Sequence, residues 1–200
     1  MSNLLISKAK SSLATATFLG VLLIYEIGAV NAYLHRQNVA VLPVSIAADE
    51  TPPVAAELKE ILPKIKQETS VPVLLPTDLL ITATDNKIYI SGNGNANGYK
   101  IDLAFEENCS EPRCEVGYLS AEKGGKPKED EFSRELSLVN NIKGYFRPKE
   151  CEVLCTIPII GWEDKGVFYR IALRGVGQSP EIEGETLMKM ANSAIEAGAR

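Results

Sequence analysis

Apolar and polar positions change period several times along the chain, and each change predicts an element. Val54, Leu58, Ile61, Leu62 and Ile65 recur at helical spacing on one face, with Thr51 as a cap and Pro52 in the first turn. Pro63 complicates this helix: its ring clashes with the carbonyl of Lys59, so the helix ends near Leu62 or bends there. Residues 71–76 are apolar but contain Pro72 and Pro76, which lack amide donors and suit an edge strand or an extended connector. Residues 87–91 favour a short strand and residues 92–98 a Gly/Asn turn. Tyr99, Ile101, Leu103 and Phe105 then alternate with Lys100, Asp102, Ala104 and Glu106, as in a half-buried antiparallel strand.

A further strand is predicted around residues 114–121, followed by a polar, mobile loop over 122–131 and another segment over 135–146. Residues 156–162 and 167–174 flank Glu163, Asp164, Lys165 and Gly166, the clearest hairpin signal in the chain. Helical spacing returns at Leu187, Met190, Ala191, Ala194 and Ile195, and Gly198 is placed to close that helix. The order predicts an α+β fold: an antiparallel sheet of five to six strands with an N-terminal and a C-terminal helix on one face. Strands do not alternate regularly with crossover helices, which disfavours a parallel nucleotide-binding sheet.

The N-terminal region reads differently. Lys8 and Lys10 precede an uncharged stretch over residues 13–25, and Val30, Asn31 and Ala32 form a signal-peptidase pattern. That stretch rises about 20 Å as a helix, short of the roughly 30 Å hydrocarbon core. Residues 1–32 are therefore expected to be a cleaved signal peptide, residues 33–50 an extended lead-in, and residues 51–200 a single α+β domain. With Glu26 interrupting the run, an uncleaved anchor or a buried N-terminal helix is the alternative, and the uncleaved leader is the one route to membrane contact.

Composition narrows the function classes. With 45% hydrophobic and 24% charged residues the chain is of globular type. A formal charge of -5, with basic residues scattered, disfavours nucleic acid as a partner. The single histidine, His35, falls in the lead-in, which leaves Ser–His and Cys–His catalysis without a positioned base. Asp102, Glu106, Glu107, Asp130, Glu131, Glu163 and Asp164 keep a two-carboxylate hydrolase open, against the alternative of a solvated acidic face. Asn93, Asn95 and Asn97 imitate half of a calcium loop, but Ala104 stands where its bidentate glutamate belongs. Gly124 and Gly125 lack the ending of a phosphate loop, and no cofactor is expected.

Cys109, Cys114, Cys151 and Cys155 all fall in the exported portion, where an even number favours two disulfides. Within a strand, Cys151 and Cys155 would be about 13 Å apart, beyond the roughly 7 Å limit of a disulfide, so local bridges require turns. Pro112 and Pro148 permit them. Cys109–Cys114 with Cys151–Cys155 is the favoured pattern, and the two crossed patterns stay open. The spacings match neither a zinc site nor a thioredoxin-like pair.

If Val167, Tyr169, Ile171 and Leu173 face inward, Phe168 points outward beside Arg170 and Arg174. Trp162, Phe168 and Arg170 then form the candidate binding patch.

Several stretches carry a resemblance: Val71-Pro72-Val73-Leu74-Leu75-Pro76-Thr77-Asp78, Gly144-Tyr145-Phe146 with Pro148 and Cys151, the Trp162 hairpin, and Met190-Ala191-Asn192-Ser193-Ala194-Ile195. Together, over about residues 54–198, the chain resembles exported cyanobacterial proteins of unknown function. The resemblance implies periplasmic or lumenal residence, and it brings neither a known active site nor a substrate. The expected function is a non-catalytic periplasmic or lumenal binding or accessory protein of the cell envelope, whose partner is an envelope protein or polymer. A carboxylate-based hydrolase of envelope polysaccharide or peptidoglycan, or a disulfide-stabilised inhibitor, is the alternative.

Overall fold

The structure, a computed structural model, describes residues 53–82, 87–128, 130–152 and 155–200, all within the unit Ala47–Arg200. The expected signal peptide and lead-in, with Thr51 and Pro52, lie outside the described residues.

Seven strands form one sheet: β1 (Tyr89–Asn95), β2 (Gly98–Ala104), β3 (Glu115–Lys123), β4 (Arg134–Ser137), β5 (Lys143–Arg147), β6 (Ile159–Asp164) and β7 (Val167–Leu173). Their order is β1-β2-β3-β7-β6-β5-β4, and every neighbouring pair is antiparallel. Two meanders thus meet at the β3–β7 pair. The α-helices among the described residues are α1 (Leu62–Glu68) and α2 (Pro180–Ala197). No helix among the described residues is long and apolar enough to cross a membrane.

The register explains the core. Ile101, Leu119, Ile171, Ile160 and Phe146 fall opposite one another across β2, β3, β7, β6 and β5, and all are buried. Because strand side chains alternate, these residues form a continuous apolar row on one face. α1 meets that face at β1, where Ile65 lies against Gly92, and α2 meets it at β5, where Gly184 lies against Phe146. Between them runs the segment 71–76, an extended connector in which Val71, Val73, Leu74 and Leu75 are buried. Two hydroxyls satisfy its carbonyls: Tyr99 donates to Leu74 at 3.0 Å and Tyr169 to Pro72 at 3.1 Å.

Three local expectations are corrected. The sheet has seven strands, rather than five to six, because residues 135–146 fold back on themselves. Asn140 and Asn141 both adopt φ of 58° there, which separates β4 from β5. The Gly/Asn run continues β1 up to Asn95, leaving Ala96 and Asn97 as a tight turn. Gly92 and Gly94 serve close approach: a side chain at either would press on Ile65 or Glu68 of α1. Pro63 occupies the first turn of α1 and starts that helix, separating it from a 3-10 turn at Ala56–Leu58.

The remaining periodic signals match their elements. β6 and β7 turn through Lys165 and Gly166, both with positive φ, as a two-residue hairpin requires. α2 is capped by Ser179, whose hydroxyl accepts the Ile182 amide at 3.4 Å, and ends at Gly198 with φ of 72°.

Candidate functional site

Trp162 and Phe168 do not share a surface. Trp162 falls opposite Tyr169 on the helix-covered face, stacks on it at 5.4 Å between centroids, and is only 1% exposed. Phe168 faces the other way, as its alternation requires, yet is 0% exposed. It packs against Phe132 and Tyr145, with ring centroids 6.0 and 6.2 Å away. Phe132 belongs to the polar segment between β3 and β4, which therefore crosses the second face as a strap. Gly161 makes the crossing close: a Cβ there would lie 2.7 Å from the Phe168 ring and 2.9 Å from the Phe132 ring. Alternation alone indicates which face a strand residue takes, not whether a loop covers that face.

Arg170 is drawn into the same arrangement. Its Nε donates to Glu131 Oε1 at 3.3 Å, Glu122 lies 3.7 Å from Nη1, and the guanidinium stacks over Phe168 at 4.5 Å. Its side chain is only 12% exposed. Burial, and next the neighbouring Glu131 carboxylate, push the Tyr118 phenol above its ordinary value. These interactions hold the strap to the sheet and leave little of Arg170 to a ligand.

The cysteines pair locally. Cys109 bonds Cys114 and Cys151 bonds Cys155. Cys114 is buried while Cys151 and Cys155 are exposed. The first bridge closes a turn in which Cys114 donates its amide to the Glu111 carbonyl at 3.2 Å, and the Phe105 amide bonds Cys114 O at 2.9 Å.

Between that loop and the starts of β1 and the end of β2 lies a groove of about 640 Å³. Tyr89, Ser91 and Leu103 contribute from the sheet, and Asp102, Glu106, Glu107, Glu111 and Glu115 supply carboxylates. Asp102 pairs with Lys100, and Glu111 pairs with Arg113 at 2.7 Å. Glu106 and Glu107 are exposed and form no ion pair with another described residue. A carboxylate-rich concavity of this kind attracts cationic groups.

The other carboxylates are dispersed: Asp130 and Glu131 lie in the strap, and Glu163 and Asp164 end β6. Among the described residues no cluster of His, Cys, Asp or Glu is arranged to hold a metal ion. Asn93 and Asn95 sit on β1, where they form one strand of the hairpin. The groove is the element that sequence reading missed. Its signal was present in the run of acids around Cys109, but only the fold brings Asp102 and Tyr89 to that loop. Comparison with protein-family models, curated proteins and solved structures finds no match to the chain.

Proposed function

We propose that this is a non-catalytic binding or accessory protein of the cell envelope, exported to the periplasm or a thylakoid lumen, which engages a cationic partner through the acidic groove. The groove carries the reading: it is concave, bordered by five acidic residues and backed by a loop closed by Cys109–Cys114. A wall held by a disulfide loses little freedom on binding, so more of the electrostatic attraction appears as affinity. The partner is an envelope protein or polymer that presents positive charge, and phosphate backbones are repelled. Two disulfides support residence in an oxidising compartment. The leader pattern and the likeness to exported cyanobacterial proteins point the same way.

One observation favours a second reading. Ser110, Glu111, Pro112 and Arg113 are exposed on a disulfide-closed loop, the presentation used by a disulfide-stabilised inhibitor. The hydrolase of polysaccharide or peptidoglycan has no comparable support.

The test has two arms. Protein from its native compartment is alkylated without reduction and weighed intact; a mass starting after Ala32 with no alkylated thiol supports export. Envelope material is then passed over immobilised protein and over its Glu106→Gln/Glu107→Gln variant. A cationic component retained by the first and released by the second supports the groove, and equal retention removes it. Inhibition of an exported hydrolase lost on changing Arg113, with no groove dependence, selects the second reading.

A further inference from the structure

Among the described residues β1 is an outer strand, paired on one side only, with β2. Its two-residue turn closes on Asn95 and Gly98, so Tyr89, Ser91, Asn93 and Asn95 direct their backbone groups to β2. Ile90, Gly92 and Gly94 direct theirs outward. α1 occupies part of that edge with side chains: Lys64 Nζ donates to the Gly92 carbonyl at 2.7 Å, and the Gly94 amide donates to Glu68 Oε2 at 2.7 Å. Such charged caps block edge-to-edge pairing. They stop before Ile90. No hydrogen bond from another described residue reaches the outward amide or carbonyl of Ile90, or the Gly92 amide.

The open half of the edge lies between two clefts that share Tyr89 and Ile90. On the helix side is a cleft of about 490 Å³ lined by Glu57, Glu60 and Ile61 among others. On the opposite side is the acidic groove. A chain added to the edge alternates its side chains between the two faces, and so between the two clefts. Among the described residues that line them, Lys87 is the only basic one. Symmetric pairing with a second copy would bring acid against acid; a basic partner is matched instead.

We infer that the first half of β1 is a docking edge for an extended peptide in which apolar residues alternate with Lys or Arg, added to the sheet as a further strand. The inference rests on the binding function proposed above and states how the partner is held. Its apolar side chains meet Ile61 and Ile90, and its basic ones meet Glu106, Glu107 and their neighbours. The backbone ladder runs through Ile90 and the Gly92 amide.

The test is an NMR titration of isotope-labelled protein, recovered from its native compartment, with a short synthetic peptide alternating valine and lysine. The expected result is saturable binding with shifted, exchange-protected amides at Ile90 and Gly92. N-methylation of the peptide's ladder-facing amides, which deletes its donors, is expected to weaken binding roughly tenfold or more. Glu106→Gln/Glu107→Gln is expected to weaken it roughly threefold to tenfold, and added salt to do the same. Equal binding of the N-methylated peptide, with Ile90 and Gly92 unmoved, overturns the docking edge but leaves the acidic groove as a binding site. Equal binding of a peptide alternating valine with glutamate overturns the charge assignment. Binding of neither peptide also overturns the docking edge, while the proposed function still answers to the capture comparison.

Discussion

Arg170 Nε lies 3.3 Å from Glu131 Oε1 and so ties the segment between β3 and β4 across the face of the sheet opposite α1 and α2. The second oxygen of Glu131 is buried without a hydrogen-bond partner, so the carboxylate depends heavily on this contact. Removing the arginine is expected to cost more than removing the acid. Arg170→Ala leaves a largely buried carboxylate alone and uncovers Phe168, a loss of roughly 2 to 3 kcal/mol in urea unfolding. Glu131→Ala is expected to loosen the strap first, read as faster hydrogen exchange over residues 125–133 with a smaller change in global stability. Equal losses in the two variants, with no change in strap exchange, would contradict this account.

Phe168 is a core residue of the strap layer. Phe168→Ala is expected to destabilise the protein by roughly 3 to 4 kcal/mol, because the Phe132 and Tyr145 rings cannot close the space it leaves. Gly161→Ala is expected to cost about 1 to 3 kcal/mol through overpacking against the same rings. Denaturant midpoints measure both. A Phe168→Ala protein of unchanged stability would show that the strap does not cover the sheet in solution.

The two disulfides are expected to differ in access. A loop of about five residues gives a bridge worth roughly 2 kcal/mol in chain-entropy arithmetic, so neither dominates stability. Thiolate attack needs an approachable sulfur, and Cys151 and Cys155 are exposed whereas Cys114 is buried. Graded reductant followed by alkylation and peptide mapping should label Cys151 and Cys155 first, then Cys109 and Cys114. Simultaneous labelling would mean that reduction proceeds through global unfolding.

High pH should unfold the protein through two buried phenols. Tyr99 and Tyr169 are both raised above the ordinary value of 10.0 chiefly by burial, with charge at Tyr169 and at Asp164, respectively, adding to the effect. Each holds its proton more tightly when folded than when unfolded. Their contribution is therefore complete below pH 10.0 and is lost as pH climbs above it. Stability measured against pH should fall in that window, with phenolate absorbance appearing only as the fold is lost. Tyr99→Phe should shallow the fall and cost about 1 kcal/mol at neutral pH, since the Leu74 carbonyl loses its donor. Free phenolate absorbance in the native state would refute the assignment.

What local sequence carries is visible in these elements. The β6–β7 hairpin needed only Lys165 and Gly166 between two apolar runs, and α2 needed only its spacing, Ser179 and Gly198. Cys109 and Cys114, and likewise Cys151 and Cys155, are too close in sequence to need anything beyond a turn to meet. By contrast, Gly92 and Gly94 resemble turn residues until α1 is present to fill the space their missing side chains leave. Asn140 and Asn141 divide one apolar stretch into two strands by a backbone conformation that composition does not announce.

Periodicity, caps and turn residues thus determined the class of fold, its terminal helix and the central hairpin, because those signals act over a few neighbouring residues. The tertiary structure alone decided that β3 pairs with β7, that a polar segment covers Phe168, and that Asp102 and Tyr89 join the Cys109–Cys114 loop around a groove. Each depends on contacts between residues distant along the chain, where loop closure and competing burial select the partner and local preference does not.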